Sequence, residues 1–109
     1  MNTGDILLAD LNPTTGQEQG GKRPVVVVSD RRYSAIPDLF LAVSLTSVQR
    51  GLPHHIAVPA NDTTGLDRTS YAMPEQIRAL AYRRIDRQLG NIDAATIGEI
   101  SYYLHLFVA

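Results

Sequence analysis

The chain alternates short apolar runs with polar, turn-rich stretches, and the clearest change of character falls near its start. Residues 16–22 are polar and hold Gly16, Gly20 and Gly21, so they predict an exposed loop. Residues 25–28 are four valines in a row, a β-branched run that predicts a buried strand. Pro24 has no N–H to give a ladder, which suits the first residue of a strand over 24–29. An earlier strand is predicted over 5–10, ended by Asn12 and Pro13. Residues 39–46 form another, with Leu41, Val43 and Leu45 on one face and Ala42, Ser44 and Thr46 on the other. Residues 54–58 predict a short strand and 69–80 a longer one, in which Pro74 implies an edge or a bulge. Residues 87–92 predict the last strand, interrupted by Gly90. Single helical turns are expected at 30–33 and 81–86, a turn at 36–38, and polar loops over 47–53 and 59–68. Asp93 reads as the N-cap of a helix reaching about Phe107. Ile97, Ile100, Leu104 and Phe107 recur at helical spacing and would bury one face. Short strands with polar turns and one terminal helix predict a mainly β fold: a small antiparallel or partly open barrel with a C-terminal helix.

Composition narrows this picture. A chain of 109 residues supports one domain, spanning 1–109, with its own core. There is no cysteine, which excludes disulfides, thiolate zinc sites and a cysteine nucleophile. Residues 1–5 lack the basic and apolar regions of a signal peptide, and no apolar run approaches the roughly 18 residues of a membrane span. The expectation is a cytoplasmic protein with no membrane contact. Net charge is −1, so the whole molecule is not a bulk polyanion binder. The charges are unevenly placed, however. Every Lys and Arg lies between Lys22 and Arg87, where ten basic residues face six acidic ones. That distribution fits either a local basic surface or an ordinary solvated mixture.

The candidate chemistry is sparse. His54 and His55 are adjacent, and in a strand they would point to opposite faces and could not easily share an ion. His105 lies in the predicted helix. No grouping has a recognised metal spacing, and neither a phosphate-binding loop nor a nucleophile elbow is present. No metal and no cofactor are expected. What remains is Arg23 and Thr46 at strand ends and Glu18 in the glycine-rich loop. Arginine is a permanent cation whose planar fork matches phosphate oxygens and stabilises charge developing on them. The Thr46 hydroxyl can donate to the same group, and Glu18 can position a nucleophile or accept its proton. Without further information the three also read as a surface ion-pairing arginine, a β-forming threonine and an exposed glutamate.

A wider pattern bears on that choice. Gly4-Asp5, Asp10-Leu-Asn-Pro-Thr-Thr-Gly16, Glu18-Gln19-Gly20-Gly21 and Arg23-Pro24-Val25 occur in order, followed by Leu45-Thr46-Ser47 and Glu75-Gln76-Ile77-Arg78. Over nearly its whole length the chain resembles the MazF/PemK-like toxins of type II toxin-antitoxin systems. The resemblance implies an SH3-like barrel with a C-terminal helix, usually as a homodimer. It implies a metal-independent, sequence-specific endoribonuclease acting on single-stranded RNA (mRNA, rRNA or tRNA), with a cognate antitoxin as partner. In the family the residues matching Arg23 and Thr46 are implicated in cleavage, and that matching Glu18 is a further candidate. With no activated protein nucleophile in sight, the RNA 2′-hydroxyl is the expected attacking group. The products would then be a 2′,3′-cyclic phosphate or 3′-phosphate and a 5′-hydroxyl. Asn12, Thr14, Thr15, Gln17 and Gln19, with Ser47 and Gln49, are the expected base-reading groups, because the loop has no aromatic residue to stack on a base. Lys22 and Arg78 are the expected phosphate contacts. Glu75 and Gln76 read as structural, and His55 as a strand residue with an acid–base role second to that. The rival from another class is a non-catalytic toxin of the same fold that binds and poisons DNA gyrase.

Overall fold

The computed structural model describes residues 1–11, 21–30 and 38–108. Among them six strands form one antiparallel sheet: β1 (Asp5–Asp10), β2 (Lys22–Val27), β3 (Leu39–Thr46), β4 (Ile56–Val58), β5 (Ser70–Ala81) and β6 (Ile85–Asn91), in the order β4-β5-β3-β2-β1-β6. A 3₁₀ turn (Tyr82–Arg84) joins β5 to β6, and one helix, α1 (Ala94–Val108), follows. The mainly β architecture with a C-terminal helix is as expected. Its sheet curls toward closure: the backbone N–H of Asn91, at the end of edge strand β6, donates to Thr63 in the loop after the opposite edge strand β4 at 2.9 Å.

The continuous apolar runs are explained by burial on both faces. Ile6, Val26, Val43 and Leu45 pack in one core, covered by Ile97, Ile100, Tyr103 and Leu104 of α1. Leu7, Ala9, Val25, Val27, Phe40 and Ala42 pack in a second core on the other face. A strand with no solvated side has no polar alternation to show. The helix begins as its sequence specifies: Asp93 Oδ1 accepts the Thr96 backbone N–H at 2.8 Å. Its far end differs from expectation. Phe107 is half exposed and outside the core, while Tyr103 packs against it instead. The spacing rule assumes an apolar surface under all four turns, and here the Phe107 ring meets His54 edge to face at 5.4 Å in place of the core.

Three other expectations shift. β2 begins at Lys22, so Lys22 and Arg23 belong to the strand and pair with Asp10 and Ala9. β4 begins at Ile56, leaving His54 and His55 in the preceding turn. The interruption expected at Gly90 is a bulge: Gln88 and Gly90 pair with Leu7 and Ile6, leaving Leu89 over. Of the edge or bulge expected at Pro74, the structure shows a bulge. In β5 the residues paired with Val43 and Leu45 are Ile77 and Ala72. Residues 73–76, Pro74 among them, therefore bow out opposite Ser44 alone. The turns expected at 30–33 and 36–38 lie largely outside the described residues, where Asp38 is the one described position of the second.

Candidate RNA-binding groove

The register of the central strands brings the predicted pair together. Val25 pairs with Ser44 and Val27 with Ala42 across β2 and β3. The recorded pairing ends at Val25 and Ser44, and beyond it Arg23 of β2 and Thr46 of β3 both line one groove. The face they share is the one on which Val25, Val27, Phe40 and Ala42 are buried. Two residues beyond Ala42 that core face ends, and Ser44 and Thr46 line a groove of about 730 Å³. Arg23, Arg50, Arg68 and Arg78 lie on its wall with Ser47, against two carboxylates, Asp67 and Glu75. Basic groups scattered over 55 residues of sequence thus converge on one concave surface, which is suited to a polyanion.

Thr46 is oriented rather than loose. Its Oγ accepts the Val48 backbone N–H at 3.2 Å, which leaves its own O–H available to donate. Two predicted contacts are not on the wall. Lys22 Nζ instead pairs with Asp86 of β6 at 3.5 Å, and Gln49 is exposed in the loop after β3 without lining the groove. Glu18, with Asn12, Thr14, Thr15, Gln17 and Gln19, lies outside the described residues.

The bulge in β5 adds a feature that sequence reasoning missed. Met73, Glu75 and Gln76 all reach the groove wall, so the segment read as structural supplies part of the site. Behind Glu75 stand both histidines. His55 Nε2 lies 2.7 Å from Glu75 Oε2, and His54 Nε2 lies 3.4 Å from Oε1. The opposite-face argument fails because the two histidines sit in a turn, where alternation does not apply; their rings meet edge to face at 4.8 Å. Burial of the Glu75 carboxyl raises its pKa, but the His55 hydrogen bond and the nearby histidines outweigh this and hold it below the usual glutamate value.

This cluster is the described grouping whose ligand atoms, all within 4.8 Å of one another, come nearest to a metal site. The His55 side chain is 3% exposed, and its Nδ1 is buried without a hydrogen-bond partner among the described residues. A ligating histidine normally donates from its other ring nitrogen. Metal at Nε2 would leave a buried, unpaired N–H at Nδ1, so the donor set suits a hydrogen-bonded carboxylate better than an ion.

Residues 2–108 match the family model described as PemK-like, MazF-like toxin of type II toxin-antitoxin system. The chain belongs to this family. The endoribonuclease EndoA of Bacillus subtilis is 32% identical to it, over all of this chain and 95% of that protein. The endoribonuclease MazF9 of Mycobacterium tuberculosis is 34% identical, over 97% and 94%. Among solved structures, MazF of Deinococcus radiodurans superposes with a TM-score of 0.81 at 27% identity, covering 99% of this chain and 96% of that one. A MazE–MazF structure from the same organism gives 0.79 at 27%, covering 100% and 97%. The PemK/MazF chain thus shares fold and length with toxins solved alone and with an antitoxin. Among the described residues no helix is long and apolar enough to cross a membrane.

Proposed function

We propose that this chain is the toxin of a type II toxin-antitoxin system: a metal-independent endoribonuclease of the cytoplasm, formed as one domain, that cleaves single-stranded RNA at specific sequences. The observation that carries the reading is that Arg23 and Thr46 line one groove together with Arg50, Arg68 and Arg78. The relatives named above are endoribonucleases, which favours cleavage over the gyrase-binding rival.

In this reading the substrate supplies the nucleophile. The 2′-hydroxyl gives up its proton as its oxygen attacks the adjacent phosphorus, the bond to the 5′-oxygen breaks, and the departing 5′-oxygen takes up a proton from solvent. The products are a 2′,3′-cyclic phosphate, which water opens to a 3′-phosphate, and a 5′-hydroxyl. Proximity within one molecule supplies much of the rate advantage. Arg23 and the Thr46 hydroxyl bind the phosphate oxygens and stabilise the charge that builds on them; Glu18 is assigned the task of positioning the 2′-hydroxyl or accepting its proton. Ser47 and Arg78 extend the RNA contact along the groove, and Asn12, Thr14, Thr15, Gln17 and Gln19 read bases. The MazE–MazF neighbour supports an antitoxin partner, with an acidic or apolar segment suited to cover the groove. Exposed Tyr102, Leu106, Phe107 and Val108 on the end of α1 support a homodimer.

The test is incubation of the purified protein with mixed-sequence RNA in EDTA. Cleavage at discrete sites is expected. Intact RNA together with inhibited DNA supercoiling would favour the rival. A single 2′-deoxy substitution just before the scissile phosphate should leave binding intact and block cutting; normal cleavage of that oligonucleotide would disprove attack by the 2′-oxygen.

A further inference from the structure

We propose that Glu75 is a specificity-determining residue of the groove, a fixed hydrogen-bond acceptor for an RNA base that carries an exocyclic amino group, with His55 as its positioning residue. The assignment deepens the endoribonuclease reading and rests on it. Three observations lead there. The first is the bulge: residues 73–76 stand against Ser44 alone, and this excursion from the ladder delivers Glu75 to the groove wall. Bulges recur beside active sites because they re-aim a side chain.

The second is the proton inventory of His55. Its Nε2 lies 2.7 Å from a carboxylate oxygen, so an Nε2 lone pair would set two acceptors against each other at hydrogen-bond distance. Nε2 is therefore assigned the proton, whether the ring is neutral or charged. In the neutral ring the buried Nδ1 holds only a lone pair, so no unpaired N–H is buried. A ring with 3% side-chain exposure has little freedom to turn. It holds the carboxylate as an acceptor.

The third is electrostatic. Apart from Asp67, the other charged groups of the groove wall are Arg23, Arg50, Arg68 and Arg78, and a carboxylate fixed among them repels phosphate. A backbone-binding surface has no use for it there, whereas a base edge does. Cytosine, adenine and guanine each present amino hydrogens to an acceptor, as glutamate accepts from the cytosine amino group. Uracil has no amino group, and its one ring N–H is flanked by two carbonyl oxygens that a carboxylate repels. Because its pKa is held low, Glu75 is poorly tuned to remove a proton near neutral pH, which favours recognition over base catalysis.

The experiment maps cut sites in a randomised single-stranded RNA library with the wild-type chain, Glu75→Gln, His55→Ala and His55→Gln. The wild type should disfavour uracil about tenfold or more at one position relative to the cut, the discrimination typical of a good base contact. Glu75→Gln should lose that preference at that position alone while still cutting. His55→Ala should relax the same position, and His55→Gln, which keeps an N–H donor near the Nε2 site, should restore it. Uniformly slower cutting with every preference intact would reduce both residues to structural roles and overturn the proposal. Loss of all cutting in Glu75→Gln with RNA binding retained would make Glu75 catalytic and overturn it equally. Should a variant fail to fold, the wild-type chain decides: replacing the favoured base by its analogue lacking the amino group should slow cutting about tenfold, and unchanged cutting refutes the contact. A wild type that cuts no RNA defeats the endoribonuclease reading itself, a failure distinct from unchanged preferences in an active Glu75→Gln.

Discussion

Two regions of the molecule use opposite strategies: the seam where loop residues 63–65 meet 89–91, and the groove at the start of β2, the end of β3 and along β5. The seam is backbone against backbone. Thr64 is buried, its Oγ donates to Pro59 O at 2.7 Å, and its N–H donates to Asn61 Oδ1 at 2.9 Å. Gly65 has φ +69, and a Cβ there would overlap the carbonyl oxygen of Leu89; one on Gly90 would overlap that of Thr63. Nothing larger than glycine fits. The groove, by contrast, is side chain against solvent, its wall mixing apolar side chains such as Leu52 and Met73 with four exposed arginines. The lesson is a separation of labour. Substitution at the seam should cost stability, while substitution in the groove should cost activity with the fold intact.

That separation can be broken in either direction. The largest effect is expected from Arg23→Ala, a cleavage rate lower by about 10² to 10³, the loss typical of one charge-stabilising donor, with the melting temperature little changed. Arg23→Lys should rescue poorly, because an ammonium lacks the bidentate fork. A cooperative unfolding defect in Arg23→Ala would mean that the groove also carries the fold. Gly65→Ala is the converse. The left-handed conformation alone costs a non-glycine residue about 1–2 kcal/mol, and the overlap with Leu89 adds to it, so about 2–4 kcal/mol of destabilisation is expected by denaturant titration. Gly90→Ala should behave alike, and wild-type stability in both would show that the seam yields.

Smaller effects sharpen the contrast. Glu75 has a depressed pKa in the folded chain, so its contribution to stability is present above the ordinary glutamate value of about 4.3 and is lost as pH falls through the folded value. The side chain is a third exposed, so solvent screens the effect. Thermal melts between neutral and acid pH should show a shallower acid decline in Glu75→Gln than in wild type, and superimposable curves would count against the His55–Glu75 contact. The smallest effect is expected at Asp93, whose carboxylate caps α1 in full exposure to solvent. Asp93→Asn should be nearly silent in Tm because asparagine also caps well, and Asp93→Ala should lower it slightly.

How much of this was legible follows the range of the interactions. The valine run and the Asp93 cap are local signals, and each appears where the sequence places it; the alternation in 39–46 holds for Val43 and Leu45, which are buried, but not for Leu41, which is exposed. The donors that Arg23 and Thr46 carry were also legible, because arginine and threonine offer the same groups whatever surrounds them; that both line one groove is decided by the tertiary structure. Pro74 announced an irregularity in β5 without saying where it would point. Only the tertiary structure decided that residues 73–76 bow toward the groove, since that depends on the register of β5 against β3, a pairing of residues about 30 apart in the chain. It likewise decided that His54 and His55 share one carboxylate 20 residues away, because the chain leaves the strand before their alternation could separate them. Phe107 follows the same rule: helical spacing fixes which side of α1 it occupies, but the distant residue it meets, His54, is set by the fold. Periodicity and capping are set by neighbours in sequence, while register, curl and coverage are set by which distant surfaces meet.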